Sequence, residues 1–331
     1  MKNFWAKVHR TSKNIVRDVK KDLTYFTPGL ALAHAVGDLP LRAKIFSPLS
    51  KWASSKKNGE ILAYLKCKYG DILEKVSEDH MPSVEAYDST VAPVWVCWLQ
   101  GEENAPPLVR RCIASIRQHA GKRPVHVLTE ENLPSYIDLP SIIWKKRKEG
   151  KIQPAHFCDI VRMVLIYRYG GLWLDATIFC SKQIPDWYFE KEFFSCKSQI
   201  RDSGYISQYR WTSFVLGGTK GSSFYKLMVD FYFAYWEKEN SAIDYLFMDY
   251  FIYLSYCERS DIRQMIDSLP ENNLLRDEPA TYMGTSFSQE LIKKWMSSDT
   301  VLFKLSWREP WKEKTPDGDE TFFGVFIREE I

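Results

Sequence analysis

The sequence predicts an α/β fold, a parallel sheet flanked by helices and preceded by a helical amino-terminal region. Three observations carry this. From Pro93 onward, apolar segments alternate strand, helix, strand. A helix-length apolar stretch, Pro154 to Tyr169, is stopped by Gly170 and Gly171 and runs straight into the strand-like LWLDATIF. The composition is that of a globular chain, 45% hydrophobic and 26% charged over 331 residues, enough for one large domain or two ordinary ones.

The elements follow in order. In the first 26 residues Phe4, Val8, Ile15, Val19, Leu23 and Phe26 recur mostly at helical spacing among basic residues, which predicts a basic amphipathic helix. Such a helix can pack on its own domain or lie in a membrane interface, where each basic residue near anionic headgroups contributes about 1 kcal/mol. Pro28, Gly29, Gly37, Pro40 and Pro48 then break the chain, and a second helix is expected over Gly59 to Val76. PVWVCWLQG reads as a buried strand, Leu108 to His119 as a helix, and PVHVLT as the next strand. After LWLDATIF come a strand near Phe193 to Ser195, the segment WTSFVLGGT, and a long aromatic helical stretch from Ser223 to Tyr256. A helix over Ser288 to Ser297 and short strands close the chain. The domain boundary is expected near residue 90, with a basic helical region over 1–90 and the α/β domain over 91–331.

Composition limits function. The seven cysteines are scattered, with no Cys-x-x-Cys pair, so neither a disulfide framework nor a cysteine zinc site is expected, and a reducing, cytoplasmic setting fits. No secretory-length apolar run lies within Met1 to Phe26, and no spanning helix is expected anywhere. The net charge of +3 is uneven: Met1 to Lys57 holds twelve Lys/Arg against three acids, +9, leaving −6 for the rest. The amino-terminal segment is therefore expected to seek an anionic surface, the inner face of a membrane, and no nucleic acid partner is expected. Aromatic residues reach 15%, suiting flat ligands such as sugar rings and bases, although most are expected in the core.

Chemistry concentrates between His156 and Phe179. If LWLDATIF is one extended strand, Asp175 and Thr177 point to the same side at its carboxyl end, where ligands bind in open α/β sheets. An acid followed two residues later by another oxygen can hold a divalent cation against a diphosphate. Asp159 and Arg162, three apart on the preceding helix, share a face, where Arg can pair a phosphate and Asp can accept from sugar hydroxyls. By spacing alone the same letters suit a solvated Asp/Arg pair and a capping Asp. His156 is expected to be a hydrogen-bonded core or capping residue, and the series Phe224, Tyr225, Phe231, Tyr232, Phe233, Tyr235 and Trp236 to be core. Asp244, Asp249 and Tyr250 interrupt an apolar run where burying charge is costly, so Asp249 is a candidate to face the site.

The run CDIVRMVLIYRYGGLWLDAT resembles the motif of GT-A-fold glycosyltransferases, in which a Ser-Asp-Ile-Leu-Arg type helix precedes Tyr-Gly-Gly and a strand ending in Asp-x-Asp. Within that fold it is most similar to capsular polysaccharide synthesis glycosyltransferases, related to glycosyltransferase family 32 and the clostridial glucosylating toxins. VWVCWLQG with PPLVRRCIASI, VHVLTEENL, GKIQPAHF and AIDYLFMDYFI extend the likeness over Pro93 to Tyr256.

The resemblance implies a GT-A-like fold with a mostly parallel central sheet, and a hexosyltransferase that uses a nucleotide-diphosphate sugar, by default a UDP-sugar, with retention of configuration. It implies donor binding by Trp98, Asp159, Arg162, Asp175, Thr177, Ser306 and Trp307, and Asp175 as ligand of Mn²⁺ or Mg²⁺; Asp159 and Arg162, with Asp249 from its place in the apolar run, are the expected catalytic residues. Thr177 stands where the pattern has its second acid, and Cys158 replaces the usual small hydroxyl residue. An ion would therefore rely on Asp175, diphosphate oxygens and water, or another acid such as Asp249. Arg162, Lys304 and Arg308 are the candidate cations for the departing diphosphate. The expected acceptor is a saccharide, a polysaccharide repeat on a lipid diphosphate carrier. A non-catalytic nucleotide-sugar-binding scaffold is the competing expectation. A nucleotidyltransferase is disfavoured, because QGEENAPP after the first strand lacks a Gly-rich phosphate loop.

Overall fold

The structure, a computed structural model, describes residues 19–34, 48–75, 87–201 and 204–328. Residues 1–18, most of the expected basic amphipathic helix, lie outside the described residues. Helices α1 (19–25) and α2 (28–34) are followed by α3 (Pro48–Tyr69) and α4 (Asp71–Lys75), then β1 (Val94–Cys97), α5 (Pro107–His119) and β2 (Val125–Leu128). Next come α6 (Ser141–Lys148), α7 (Pro154–Tyr169), β3 (Gly171–Asp175), β4 (Ile178–Cys180), α8 (Trp187–Glu190), β5 (Phe194–Ser195) and β6 (Val215–Gly218). The chain closes with α9 (Ser223–Lys238), α10 (Phe247–Glu258), α11 (Ser260–Asp267), α12 (Glu278–Tyr282), α13 (Gln289–Ser297), β7 (Leu302–Lys304) and α14 (Phe322–Ile327).

The central sheet runs β2-β1-β3-β6-β5, with β1 parallel to β2 and β3, and β6 antiparallel to both β3 and β5. Four strands thus share one direction and β6 is reversed, a mixed, mostly parallel α/β sheet of GT-A-like type. Val94, Trp95, Val96 and the first four residues of β3 are buried, as strands covered on both faces must be. Helix α7 packs on β3, β6 and α9, and ten of its residues are buried. It closes at Gly170, whose N–H bonds Ile166 O at 2.8 Å, and the strand begins one residue later. Both glycines have positive φ, 70° and 99°, and a Cβ at Gly171 would stand 2.1 Å from Pro93 O.

Three expectations change. LWLDATIF is not one strand: β3 ends at Asp175, a turn takes up Ala176 and Thr177, and β4 pairs antiparallel with β7 in a separate two-stranded sheet. Nothing in the letters forces this break; the pairing of Phe179 with Phe303 does. The long helix from Ser223 to Tyr256 is two helices, α9 and α10, separated where Glu239 and Asp244 turn inward to bonded partners, Tyr64 and Tyr69 for the first, His34 and Lys57 for the second. The second amino-terminal helix starts earlier than expected, at Pro48, and divides after Tyr69.

The amino-terminal helices share the main core through Leu30, Ile61, Leu65 and Tyr69. In α1 the buried residue is Asp22, not an apolar one: His34 Nδ1 lies 2.5 Å from its carboxylate, while Leu23 is exposed and Phe26 meets Tyr64 edge-on. Among the described residues, no helix is long and apolar enough to cross a membrane.

Candidate functional site

The site forms at the carboxyl ends of β1 and β3, where register sets Cys97 beside Asp175. Helix α7 supplies Asp159 and Arg162 from one face: Arg162 Nη2 lies 3.2 Å from Asp159 Oδ1 and 3.7 Å from Asp175 Oδ1. The guanidinium also bonds Ser213 O and lies 4.9 Å over the Trp173 ring. Its side chain is only 7% exposed, so Arg162 lies behind the more exposed Asp175 and ties the two acids together. Asp175 and Lys304, 31% and 25% exposed, form the accessible surface.

Lys304 reaches across from β7. Its Nζ donates to Asp175 Oδ2 and to Thr177 Oγ1, both at 2.8 Å. The expected convergence of Asp175 and Thr177 is therefore present, but the turn and Lys304 create it, not strand alternation. Trp173 Nε1 donates to Asp175 Oδ1 at 3.1 Å. Burial opposes ionisation of Asp175, yet Lys304 and Arg162, helped by these hydrogen bonds, hold its carboxyl below the usual carboxylate range.

Around this centre lie the other expected residues. Trp98 and Trp307 meet edge-on at 5.5 Å, bringing the end of β1 and the loop after β7 together over the site; Trp307 is 43% exposed. Ser306 contributes its carbonyl to Trp311 Nε1, at 2.8 Å. Asp249, on α10, is buried and accepts from Trp211 Nε1 at 2.8 Å. Burial, set against that bond and reinforced by the Asp159 charge, pushes its pKa up to about 7. Asp244 belongs elsewhere, to a buried cluster with His34 and Lys57, and Tyr250 bonds Asn58. His156 is buried as expected, but its Nδ1 has no hydrogen-bond partner among the described residues and stands 3.7 Å from Asp159 Oδ2. Cys158 Sγ lies 3.6 Å from Cys97 Sγ, and both thiols are free. That contact, and then burial, raise the Cys97 pKa.

Trp173, Trp211 and Ser213 were not anticipated. A signal existed for Trp173, two residues before Asp175 and so on the same face of β3. Trp211 and Ser213 come from a loop, where spacing carries no such signal.

The donor set does not fit a divalent cation. Asp175 is the more exposed of the two carboxylates, and its two oxygens already meet Lys304 and Trp173. Among the described residues no three His, Cys, Asp or Glu side chains gather in a metal-holding group.

A family model described as capsular polysaccharide synthesis protein matches residues 42–325. The chain is also similar to the O-glycosyltransferase braB of Annulohypoxylon truncatum, 30% identical over 132 residues, 37% of this chain and 29% of that protein. The glycosyltransferase afumC of Aspergillus fumigatus is 32% identical over 98 residues, 27% of this chain and 25% of its own. The O-glycosyltransferase PaGT of Phomopsis amygdali is 31% identical over 103 residues, 28% and 25% of the two chains. The match thus spans less than a third of each of these relatives.

Proposed function

The chain belongs to the capsular polysaccharide synthesis protein family, and from that premise we propose that it is a glycosyltransferase taking a sugar from a nucleotide-diphosphate donor to a saccharide acceptor. The observation that carries the reading is the buried Arg162 gripping Asp159 and Asp175 at the carboxyl end of β3. Two acids and a guanidinium at that place can hold sugar hydroxyls and set the donor's orientation, while Trp98 and Trp307 offer aromatic faces to a base. The names of the three relatives support transfer of sugar, and the resemblance in sequence adds a UDP-sugar and retention of configuration.

The acceptor we propose is a surface-polysaccharide repeat on a lipid carrier, with the basic amino-terminal segment meeting anionic headgroups. The charge of Met1 to Lys57 supports this. Thr177, in place of a second acid, favours one competitor, a scaffold that binds nucleotide sugar without turnover.

A thermal-shift and calorimetric screen of the full chain against UDP-, GDP- and ADP-sugars tests donor binding. One nucleotide sugar should raise the melting temperature, by mass action on the folded state, and Asp159→Asn should abolish the rise. A flat response to every donor would remove the proposal, and binding without sugar release would leave the scaffold.

A further inference from the structure

We propose that the Lys304 ammonium does at this site what a divalent cation would do: it holds the donor's diphosphate and balances the charge left on the departing nucleoside diphosphate, so that donor binding requires no metal. The inference rests on the nucleotide-sugar reading above and concerns how that donor is held.

Charge conservation supports it first. Two carboxylates and a divalent cation sum to zero, and so do one carboxylate, one hydroxyl and one ammonium. At residue 177 a threonine replaces the acid, and a lysine stands 2.8 Å from both Asp175 Oδ2 and Thr177 Oγ1, the pair of side chains that would otherwise hold such an ion. An ion entering there would have to expel Lys304 while keeping a single carboxylate, with Arg162 only 3.7 Å from that carboxylate's other oxygen.

Backbone geometry supports it second. Register pairs Lys304 with Ile178, Lys304 N bonds Arg276 O at 2.7 Å, and Leu305 N bonds Thr177 O at 2.9 Å. The lysine thus issues from a fixed strand, with its Nζ 5.0 Å from the Phe214 ring centroid and part of the side chain open to solvent. Three residues on, Trp307 meets Trp98, so the chain that delivers the cation also delivers one ring of that aromatic pair.

In the transfer step the bond between the anomeric carbon and the diphosphate oxygen breaks, and the electron pair stays on that oxygen. The acceptor oxygen bonds the anomeric carbon, and its hydroxyl proton is taken up by the released diphosphate. Lys304 stabilises the charge that develops on the leaving oxygen.

The test is calorimetry of the full chain with UDP, GDP and ADP, in EDTA and in Mn²⁺. The nucleotide that binds should bind equally in both; Lys304→Met should weaken it by about thirtyfold, the worth of a charge-assisted hydrogen bond, and Lys304→Arg should recover part. The double variant Thr177→Asp/Lys304→Met should bind only with Mn²⁺. Wild-type binding lost in EDTA and restored by Mn²⁺, or Lys304→Met binding as wild type, overturns the proposal. A Mn²⁺ titration of the chain alone, followed by electron paramagnetic resonance, decides independently. Ion bound by wild type and released by Asp175→Asn refutes it; ion bound only by the double variant supports it. Nucleotide binding without sugar transfer would defeat the enzyme reading and leave the role of Lys304 as measured.

Discussion

Arg162 and Asp159 form a buried ion pair 3.2 Å apart, with side chains 7% and 13% exposed, on the helix that leads into the strand ending in Asp175. Removing one member leaves the other charged and desolvated, so Arg162→Met should cost about 3–5 kcal/mol. Asp159→Asn in the same chain should return part of that loss. Urea unfolding of the two single variants and the double gives the coupling directly, and additive effects would mean the pair does not interact.

The helix-to-strand joint should be as sensitive as the charges. Gly171 holds φ at 99°, and an added Cβ would meet Pro93 O at 2.1 Å. Gly171→Ala should therefore destabilise by at least about 2 kcal/mol and loosen β3, while Gly150→Ala, with nothing near its Cβ, should cost only the strain of its own positive φ. Thermal denaturation of both variants distinguishes steric clash from backbone preference.

Asp249 should tilt stability with pH. Burial lifts its folded pKa to about 7, against an ordinary carboxylate value of 3.8. The stability it contributes is complete below the unfolded pKa and is lost as pH rises through the folded one. From about pH 4 to 7 the wild type should lose a few kcal/mol relative to Asp249→Asn and run parallel to it above that range. Parallel curves throughout would show Asp249 ionising freely in the fold.

The amino-terminal helices should be anchored by the buried cluster of His34, Asp22, Asp244 and Lys57. His34 Nε2 lies 3.2 Å, and Lys57 Nζ 3.0 Å, from the same Asp244 oxygen. Burial alone would lower the His34 pKa, but the two carboxylates raise it, so its stabilisation is present at low pH and fades as pH climbs past the raised value. His34→Ala should expose the segment around residues 19–34 to limited proteolysis while β1 to β3 stay protected, and an unchanged cleavage pattern would count against the anchor.

Much of the fold was legible because its buried elements carry their period in their letters. The strand of Val94–Cys97, the helix of Pro154–Tyr169 and the stop at Gly170 follow from hydrophobic pattern and glycine chemistry. The shared face of Asp159 and Arg162 follows from helical spacing. The turn at Ala176 and Thr177 was not legible, because LWLDATIF, which has no Gly or Pro, is cut by pairing with β7, far along the chain. For the same reason Lys304 could be named from sequence as a candidate cation for the diphosphate but not as the bridge between Asp175 and Thr177. The gap between α9 and α10 was hidden because Glu239 and Asp244 are satisfied by partners in the amino-terminal helices.

The most direct measurement of the central claim is sugar transfer by the full chain, read as the mass gained by an acceptor saccharide and the nucleoside diphosphate released. Both products should form in equal amount with one nucleotide sugar, and both should fall by at least about a hundredfold in Asp159→Asn and Asp175→Asn variants that keep the wild-type circular dichroism. Transfer that persists in those two variants, or acceptor mass unchanged with every nucleotide sugar, would contradict the claim.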